Sequence, residues 1–516
     1  MKKFIWPAIS KKELFLVLVL ALSASLLSLM PTIWSYLKTP PGFWFVGFYF
    51  FYDPWDVNVY LNALRQGFNG RWLYQNPYDP TSAALPIYFL YLFLGHLARL
   101  FSLSVPWAYH LASVFLTIIF FYALYLFLAF VFREKNWRLA SLFLITFGGG
   151  IGWLFYQKIL FADLAFPVTT VFQTLHLPHF LLNQALFLTT FLLSLWAISV
   201  EKRTLSLLSA LSGVALTFVH PYSLLLVVLV FGGYFLLAIL AKKNLARFFY
   251  LTPQFAIWIV FLLFFYLLLR QTPYLTLNYP PPPSPFYFLV SYGLLTPLVI
   301  LGAINFWHRK EEKTLFLLSW LLIHFSAPYL FPPKVLAFKG FFIIVGITAI
   351  WGLKWLGSLI KYPWAVYFWV LFFSTFSAIF TTIILLIPIY SSQVKPWTYL
   401  TYEERGAFDF LSRNSKEGEI VLASSLIGNF IPANTNNQVY FGHEASILNF
   451  QERRRNISEF YAGKFSALPH QFLKKEKIDY VFWGPKEKEL GGLDLTKEPY
   501  LENIYQNEKV TLFKVR

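Results

Sequence analysis

Cysteine is absent from the 516-residue chain, and charged residues make up only 13% of it. The absence of thiols excludes disulfides, thiolate metal sites and cysteine nucleophiles. Hydrophobic residues account for 57% of the sequence and aromatic residues for 21%, a composition that soluble domains of this length do not have. The chain is therefore predicted to be an integral membrane protein.

The few charges are unevenly distributed. The first 390 residues hold 25 lysines and arginines but only nine acids, whereas residues 391–516 hold 17 basic and 16 acidic residues. The basic residues of the first part form small groups between apolar runs instead of a stripe with interleaved aromatics, so nucleic acid is not an expected partner. The sequence predicts a transmembrane domain over 1–390 and a water-exposed domain over 391–516.

Apolar stretches of about 20 residues, long enough to cross ~30 Å of hydrocarbon, mark the expected spans. They lie at 13–34, 106–132, 139–158, 179–200, 247–268, 286–306, 314–330, 335–353 and 364–390. The run 204–241 is too long for one span and is interrupted at His220-Pro221, which predicts a hairpin of two helices. About eleven spanning helices are expected, the first of them an uncleaved signal-like segment.

The segment 85–103 decides the topology. It is apolar but broken by Gly95, His96 and Arg99, so it could either span the bilayer or lie along its surface. If it does not cross, most basic groups of the first 390 residues fall on one side, as the positive-inside rule requires. We therefore expect the N-terminus inside, a first outer loop over about 35–105, and the C-terminal domain outside the cytoplasmic membrane.

Five acids of the first part then lie in inner loops, as solvated charges: Glu13, Glu134, Glu201, Glu311 and Glu312. Four lie outside: Asp53, Asp56, Asp79 and Asp163. Apolar residues recur at helical spacing after Pro54, so Asp56 is predicted in the first turn of a short amphipathic helix at the membrane surface. A partly desolvated carboxylate there could act as a general base or bind a metal. From the residues alone, a cap of the helix is the simpler interpretation.

Histidines and cations follow in later outer loops. Asp163, His176 and His179 could together ligate a divalent cation, although a helix cap at His179 and a solvated position at His176 are simpler interpretations. The outer helix ends also carry His220, Arg270, Lys334 and Lys339. These side chains could bind an anionic lipid head group or merely extend to the interface.

Residues 391–516 alternate helix and strand patterns, which predicts a small α/β domain. Helices are expected at 403–411, 445–461 and 468–474, and strands at 420–423, 439–441, 480–483 and 510–514. No nucleotide-binding fingerprint or nucleophile elbow occurs among them. Gly442-His443-Glu444 is a candidate site, with a structural turn as the alternative.

Several short motifs resemble those of the C-type (GT-C) glycosyltransferases, in particular uncharacterised relatives of the mannosyltransferase and oligosaccharyltransferase group. They are the Asp-x-Asn-x-Tyr-Leu-(x)3-Arg-Gln-Gly run from Asp56 to Gly67, which includes Tyr60, and Gly149-Gly150-Ile151-Gly152-Trp153, Leu177-Pro178-His179, Val219-His220-Pro221-Tyr222 and Tyr440-Phe441-Gly442-His443-Glu444. The resemblance covers most of the chain. It implies a polytopic α-helical, GT-C-like membrane fold.

In that superfamily, an acid of the first outer loop serves as base or metal ligand, and acids of the second outer loop join it. The resemblance implies these roles for Asp56, with Asp53 as the near alternative, and for Asp163. Because the second loop has Asp163 alone where the superfamily often has a pair, the need for a divalent cation such as Mg or Mn stays open.

The implied activity is the inverting transfer of a sugar from a polyprenyl-phosphate-linked donor to a hydroxyl group. The acceptor could be a lipid, a glycan or a protein. The donor phosphate is expected to contact Arg270, Lys334 and Lys339.

Two other classes of function remain open from the sequence. One is a non-enzymatic multipass transporter or lipid flippase with an external partner-binding domain, and the other is a protein whose C-terminal domain acts while the helices anchor it. Transporters often have internal repeats and polar residues at the bilayer midplane. The sequence has no fixed-period repeat, and its polar candidates collect at helix ends, which favours the glycosyltransferase.

Overall fold

The computed structural model of the chain describes residues 8–49, 54–155, 158, 161–165, 170–271, 282–330, 339–390, 395–447, 449–465 and 468–516. Its contacts divide the chain into two compact units. The helical unit comprises Met1–Met30, His110–Gln271 and Tyr279–Leu385, and the mixed unit comprises Pro31–Tyr109 and Leu386–Arg516. Most of the predicted first outer loop thus groups with the C-terminal residues. The membrane boundary near residue 390 stays a prediction.

Long apolar helices supply the helical unit. They are α1 (Lys11–Leu37), α4 (Val105–Val131), α5 (Lys135–Phe147), α8 (Pro178–Val200), α9 (Arg203–Val219), α10 (Pro221–Leu240), α11 (Thr252–Leu269), α12 (Pro285–Ser291), α13 (Leu295–Arg309), α14 (Glu312–Leu330), α15 (Phe341–Gly357) and α16 (Pro363–Tyr390). Two short helices, α6 (Gly152–Phe155) and α7 (Ala162–Ala165), follow α5. Hydrogen bonds within each helix pair the backbone N–H and C=O groups, which cannot form hydrogen bonds with hydrocarbon.

Seven helical segments of the described residues are long and apolar enough to cross a membrane. An eighth span is reached if α12 and α13, which meet at 105°, count as one. The predicted hairpin within 204–241 is confirmed, because α9 ends at Val219 and α10 begins at Pro221. The number of eleven spans and the orientation of the termini stay predictions.

The segment that decided the predicted topology forms the helix α3 (Phe89–Leu100). Its 12 residues rise only ~18 Å at about 1.5 Å per residue, which is too short to cross ~30 Å of hydrocarbon. The helix belongs to the mixed unit. Its length therefore agrees with the interpretation that this segment does not span the bilayer.

The prediction that Glu13 is a solvated loop charge is wrong, because Glu13 is buried. Its carboxylate lies 3.1 Å from the guanidinium of Arg138, and both side chains are about 95% buried. The Tyr125 hydroxyl donates a hydrogen bond to the same carboxylate. An isolated charge in such surroundings is highly unfavourable, so the two charges are buried as a pair. This contact joins α1 to α4 and α5.

The mixed unit is built around a five-stranded sheet with the order β4-β3-β5-β7-β6. Its strands are β3 (Ile420–Leu422), β4 (Gln438–Val439), β5 (Ile478–Trp483), β6 (Leu501–Gln506) and β7 (Thr511–Val515). Strand β3 pairs in parallel with β4 and β5, while β7 pairs antiparallel with β5 and β6. All three residues of β3 are buried, as a strand covered on both faces requires.

Helices of the mixed unit flank this sheet. They are α2 (Pro54–Phe68), α17 (Tyr402–Asn414), α18 (Ser425–Asn434), α19 (Phe450–Tyr461), α20 (Pro469–Lys475) and α21 (Pro485–Leu490), together with α3. A further antiparallel pair joins β1 (Phe43–Phe45) to β2 (Tyr399–Thr401). The α/β domain is thus confirmed, but α18, α21 and β6 were not predicted. Gly428 and Pro432 mask the helical pattern of α18, and the edge strand β6 lacks an apolar run.

We predict that Glu13→Gln lowers the free energy of unfolding by about 3 to 5 kcal/mol, because it leaves the buried Arg138 guanidinium without a counter-charge. The measurement is chemical unfolding of the full chain in detergent micelles. The control is Glu134→Gln, which breaks the exposed ion pair of Glu134 with Lys354 and should change stability by less than about 1 kcal/mol. Equal losses in both variants would contradict the structural role of the buried pair.

Candidate active site

Asp56 lies in the first turn of α2. Its Oδ1 atom is 2.8 Å from Nε2 of His443, so the carboxylate is held by the C-terminal residues of the mixed unit and does not merely cap the helix. The Asp56 side chain is 39% exposed, whereas that of His443 is only 4% exposed. A carboxylate with one fixed oxygen and solvent access can accept a proton from a bound hydroxyl group.

His443 is itself held in place. The Oγ atom of Ser446 lies 2.9 Å from its Nδ1 atom, so both ring nitrogens have partners. If Nε2–H donates to Asp56, the Ser446 hydroxyl donates to Nδ1, and the imidazole is satisfied while neutral. The chain Ser446–His443–Asp56 therefore sets the orientation of the carboxylate.

Two glycines bring His443 to α2. A β-carbon on Gly442 would lie 2.4 Å from the carbonyl oxygen of Gly428 in α18, and one on Gly428 would lie 2.1 Å from that of Phe441. Neither position can hold a side chain without displacing backbone. The Gly442-His443-Glu444 turn thus combines both sequence interpretations, a structural turn and a site residue.

Asparagines fasten α2 to α18. The Asn58 amide donates to Oδ1 of Asn429 at 2.6 Å, and the Asn429 amide donates to the Trp55 carbonyl at 3.2 Å. One turn further along α2, Asn62 donates to the Pro432 carbonyl at 2.8 Å. These three asparagines are buried, where hydrogen bonds gain strength from the low local dielectric. They fix the helix that carries Asp56.

The opposite side of α2 packs on α3. Tyr60 stacks on Tyr91 with ring centroids 4.8 Å apart, so the Tyr60 side chain packs α2 against α3. A β-carbon on Gly67 would lie 2.0 Å from the Leu92 carbonyl oxygen, and one on Gly95 would lie 2.1 Å from that of Leu64. Glycine at both positions permits this close approach of the two helices.

Asp163 occupies a different setting, in the helical unit. Its side chain is fully buried, and its Oδ2 atom accepts the backbone N–H groups of Gly150 and Gly152 at 2.9 and 3.2 Å. A β-carbon on Gly152 would lie 2.4 Å from the other carboxylate oxygen. Burial raises the pKa of Asp163 to about 6, although the two N–H groups act in the opposite direction. Two glycines of the Gly149-Gly150-Ile151-Gly152-Trp153 motif thus bind this carboxylate.

Lys339 and His220 meet elsewhere in the helical unit. The Lys339 ammonium lies 2.5 Å from Nε2 of His220 and 4.0 Å from the centre of the Phe180 ring. Both Lys339 and His220 are more than nine-tenths buried, as is His179. Burial, and then the charge of Lys339, lower the pKa of His220 well below its usual range, so this imidazole is neutral and accepts from the ammonium.

Comparison with known proteins gives no sequence match. No protein-family model matches the chain, and no curated protein sequence does.

The fold does match solved structures. The oligosaccharyltransferase of Archaeoglobus fulgidus, in complex with Zn and sulfate, superposes with a TM-score of 0.57 at 15% identity over 96% of this chain and 72% of that chain. The oligosaccharyltransferase AglB from Archaeoglobus fulgidus, in complex with an inhibitory peptide and a dolichol-phosphate, gives 0.54 at 12% identity over 93% of this chain and 70% of that chain. The mycobacterial arabinofuranosyltransferase AftD gives 0.61 at 14% identity over 98% of this chain.

The chain has the GT-C fold. Both neighbours are GT-C membrane glycosyltransferases, and the predicted family resemblance is confirmed at the level of architecture. The chain spans about 40% of the length of AftD.

Two of the predicted metal ligands, Asp163 and His179, have surroundings that do not fit a divalent cation. Asp163 is bound by backbone N–H groups and enclosed by glycines, and the charge of Lys339 faces the imidazoles of His179 and His220. An ammonium so close to these imidazoles opposes binding of a second cation. In the described ranges, no group of three or more histidine and acid side chains is arranged to hold a metal ion.

The remaining predicted site residues have other surroundings. Arg270 is exposed and its guanidinium lies over the ring of Tyr266, 5.1 Å from the centre. His176 contributes its backbone carbonyl to Ser113 at 3.2 Å, and burial lowers the pKa of its imidazole. Asp53 and Lys334 lie outside the described residues.

Four further residues build the Asp56 site: Asn58, which stands in the quoted motif without an assigned role, and Asn62, Asn429 and Ser446, which sequence reasoning missed. A signal for the first two was present, because amides four residues apart interrupt an otherwise apolar helix face. Asn429 lies 371 positions from Asn58 in sequence, Ser446 follows it further along the chain, and nothing local marks either residue.

We predict that stability falls as the pH rises from about 4 to about 6, and that Asp163→Asn removes this part of the dependence. The folded-state pKa of Asp163 is raised from 3.8 to about 6, so the folded state holds the proton over this window while the unfolded state releases it. The shift corresponds to a loss on the order of 2 to 3 kcal/mol. The check is the difference between the unfolding free energies of the wild type and the variant across pH 4 to 8; parallel curves would contradict the assignment.

Proposed function

We propose that this chain is a glycosyltransferase that moves a sugar from a polyprenyl-phosphate-linked donor to an acceptor hydroxyl at the outer face of the cytoplasmic membrane. The GT-C fold supports the reaction class. The neighbour AglB was solved with a dolichol-phosphate and an inhibitory peptide, which supports a polyprenyl-phosphate donor and a lipid, glycan or protein acceptor. The observation that carries the proposal is the half-exposed Asp56 carboxylate oriented by His443.

Asp56 is the proposed general base. It takes the proton of the acceptor hydroxyl while the hydroxyl oxygen forms a bond to the anomeric carbon. The bond from that carbon to the donor phosphate oxygen breaks in the same step, so the configuration inverts and the lipid phosphate leaves. His443 acts as a positioning residue, because it contacts Asp56 and is itself buried. Burial, and then the charge of Asp56, raise the pKa of the nearby Tyr78 hydroxyl.

Lys339 is the proposed contact for the leaving phosphate. Its ammonium is buried beside a neutral imidazole and an aromatic face, where a cation interacts with an anion far more strongly than in water. Negative charge grows on the leaving group in the transition state, so a pre-placed cation lowers the barrier. Lys334 and Arg270 remain proposed second contacts.

We predict that Asp56→Asn reduces sugar transfer at least about 100-fold, within the range for loss of a general base. Asparagine still accepts the His443 hydrogen bond, so the fold and donor binding should be retained. The assay uses the full chain in proteoliposomes, a panel of synthetic polyprenyl-phosphate hexoses and pentoses, and a lipid extract as acceptor.

The matched control is Asp79→Asn in the same unit, because Asp79 contacts Arg453 and Thr81 instead of His443; its activity should stay within about threefold. His443→Ala should lower kcat about tenfold, in keeping with the sensitivity of catalysis to small misplacements, while KM for the donor is unchanged. Full activity of Asp56→Asn would overturn the assignment of the base.

We predict that Lys339→Gln weakens use of the donor about 10- to 100-fold in kcat/KM, the equivalent of a charge-assisted hydrogen bond of roughly 1.5 to 3 kcal/mol. Lys339→Arg should restore part of it. The exposed Lys158 provides the control, since Lys158→Gln removes one charge without touching this cluster. An unchanged kcat/KM in Lys339→Gln, with normal expression, would exclude a phosphate contact at this position.

A further inference from the structure

A cavity in the helical unit is lined by residues other than the proposed phosphate contact Lys339. It has a volume of about 420 Å³ and is bounded by the chain between α4 and α5, the end of α13, the start of α14 and the end of α15. Its charged lining consists of four cations and two acids: Arg133, Arg309, Lys313, Lys354, Glu134 and Glu311. The cavity therefore carries an excess of positive charge.

Ion pairs balance two of these cations. Lys354 binds Glu134 at 2.6 Å, and Arg309 binds Glu311 at 3.1 Å. The Lys313 ammonium donates a long hydrogen bond, 3.4 Å, to the Val131 carbonyl. An ammonium has three N–H donors, so Lys313 keeps donor capacity beside this cavity. Arg133 is exposed at its edge.

The tryptophan Trp351 lines the cavity and is held in place by a hydrogen bond. Trp351 is buried, and its indole N–H donates to Oδ1 of Asn305 at 2.8 Å. The charged groups of both Lys313 and Arg309 lie over its ring, at 5.5 and 5.7 Å from the centre. Two cations held over one ring repel each other, and a bound anion would relieve that repulsion.

We propose that this cavity binds the phosphate of an anionic phospholipid head group through Lys313 and Arg133. Lipid is the source we infer because the lining residues stand at the ends of apolar helices, where tryptophans and basic residues mark the membrane interface. The positive-inside rule places this end at the cytoplasmic leaflet, whose lipids are anionic and bind basic pockets between helices. The site is separate from the proposed transfer reaction and does not depend on it.

The experiment measures lipid binding to the purified full chain by native mass spectrometry, with phosphatidylglycerol and phosphatidylcholine as probes. We expect preferential binding of phosphatidylglycerol. Lys313→Gln and Arg133→Gln should each weaken it about tenfold, and Lys313→Arg should retain it. Arg133 is exposed, so its variant tests the proposal even if Lys313→Gln fails to fold.

Lys202→Gln is the matched control, since it removes one charge from an exposed basic loop that does not line the cavity; binding should not change. Equal weakening in the control would show a general surface charge effect and would overturn the proposal. A second arm adds inorganic phosphate to lipid-free protein. If phosphate alone binds as tightly as the lipid, the inferred lipid source is wrong, whereas weak phosphate binding supports it.

Discussion

The hydrogen bond between Asp56 and His443 joins residues 387 positions apart, and the arrangement of the mixed unit depends on the packing that makes it possible. Helix α2 contacts α3 through glycines on one side and α18 through asparagines on the other. The glycine contact requires backbone to approach backbone within the distance that a side chain would occupy, whereas the asparagine contact is made by side-chain hydrogen bonds. A single carboxylate is thereby given one orientation, although it remains half exposed.

Burial of charge in the helical unit follows a consistent physical rule. Glu13 has Arg138, Asp163 has two backbone N–H groups, and Lys339 has a neutral imidazole. In surroundings of low dielectric an unpaired charge is strongly unfavourable, so each buried charge is held by a dedicated partner. The partners differ in kind, and so do the consequences. The first pair connects helices, the second closes a turn, and the third leaves a cation that can interact with an anion.

The two proposed phosphate contacts differ in their surroundings. At Lys339 the cation is buried with imidazoles and an aromatic ring, which suits charge that develops during a reaction. At Lys313 the cations surround an open cavity over Trp351, which suits lasting occupation by a head group. The two differ in burial and neighbours, and only the first is proposed to take part in sugar transfer.

The sequence by itself determined that the chain lies in a membrane and which class of architecture it has. Composition and apolar run length predicted a multipass helical protein, the Pro221 break predicted the α9–α10 hairpin, and alternating patterns predicted the α/β sheet. These features are local, because hydrophobic periodicity and helix breakers act within a few residues. The short motifs around Asp56 and His443 indicated the GT-C fold and two of the residues that meet at the candidate site.

Only the tertiary structure decided which polar residues pair. The burial of Glu13, the enclosure of Asp163 by glycines, the contact of Lys339 with His220 and the support of Asp56 by His443 and Ser446 all join positions that no local pattern relates. The sequence does not distinguish a carboxylate that is solvated from one that is ion-paired or hydrogen-bonded to backbone N–H groups. Its chemistry is set by desolvation and by neighbours, and those exist only once the chain has folded.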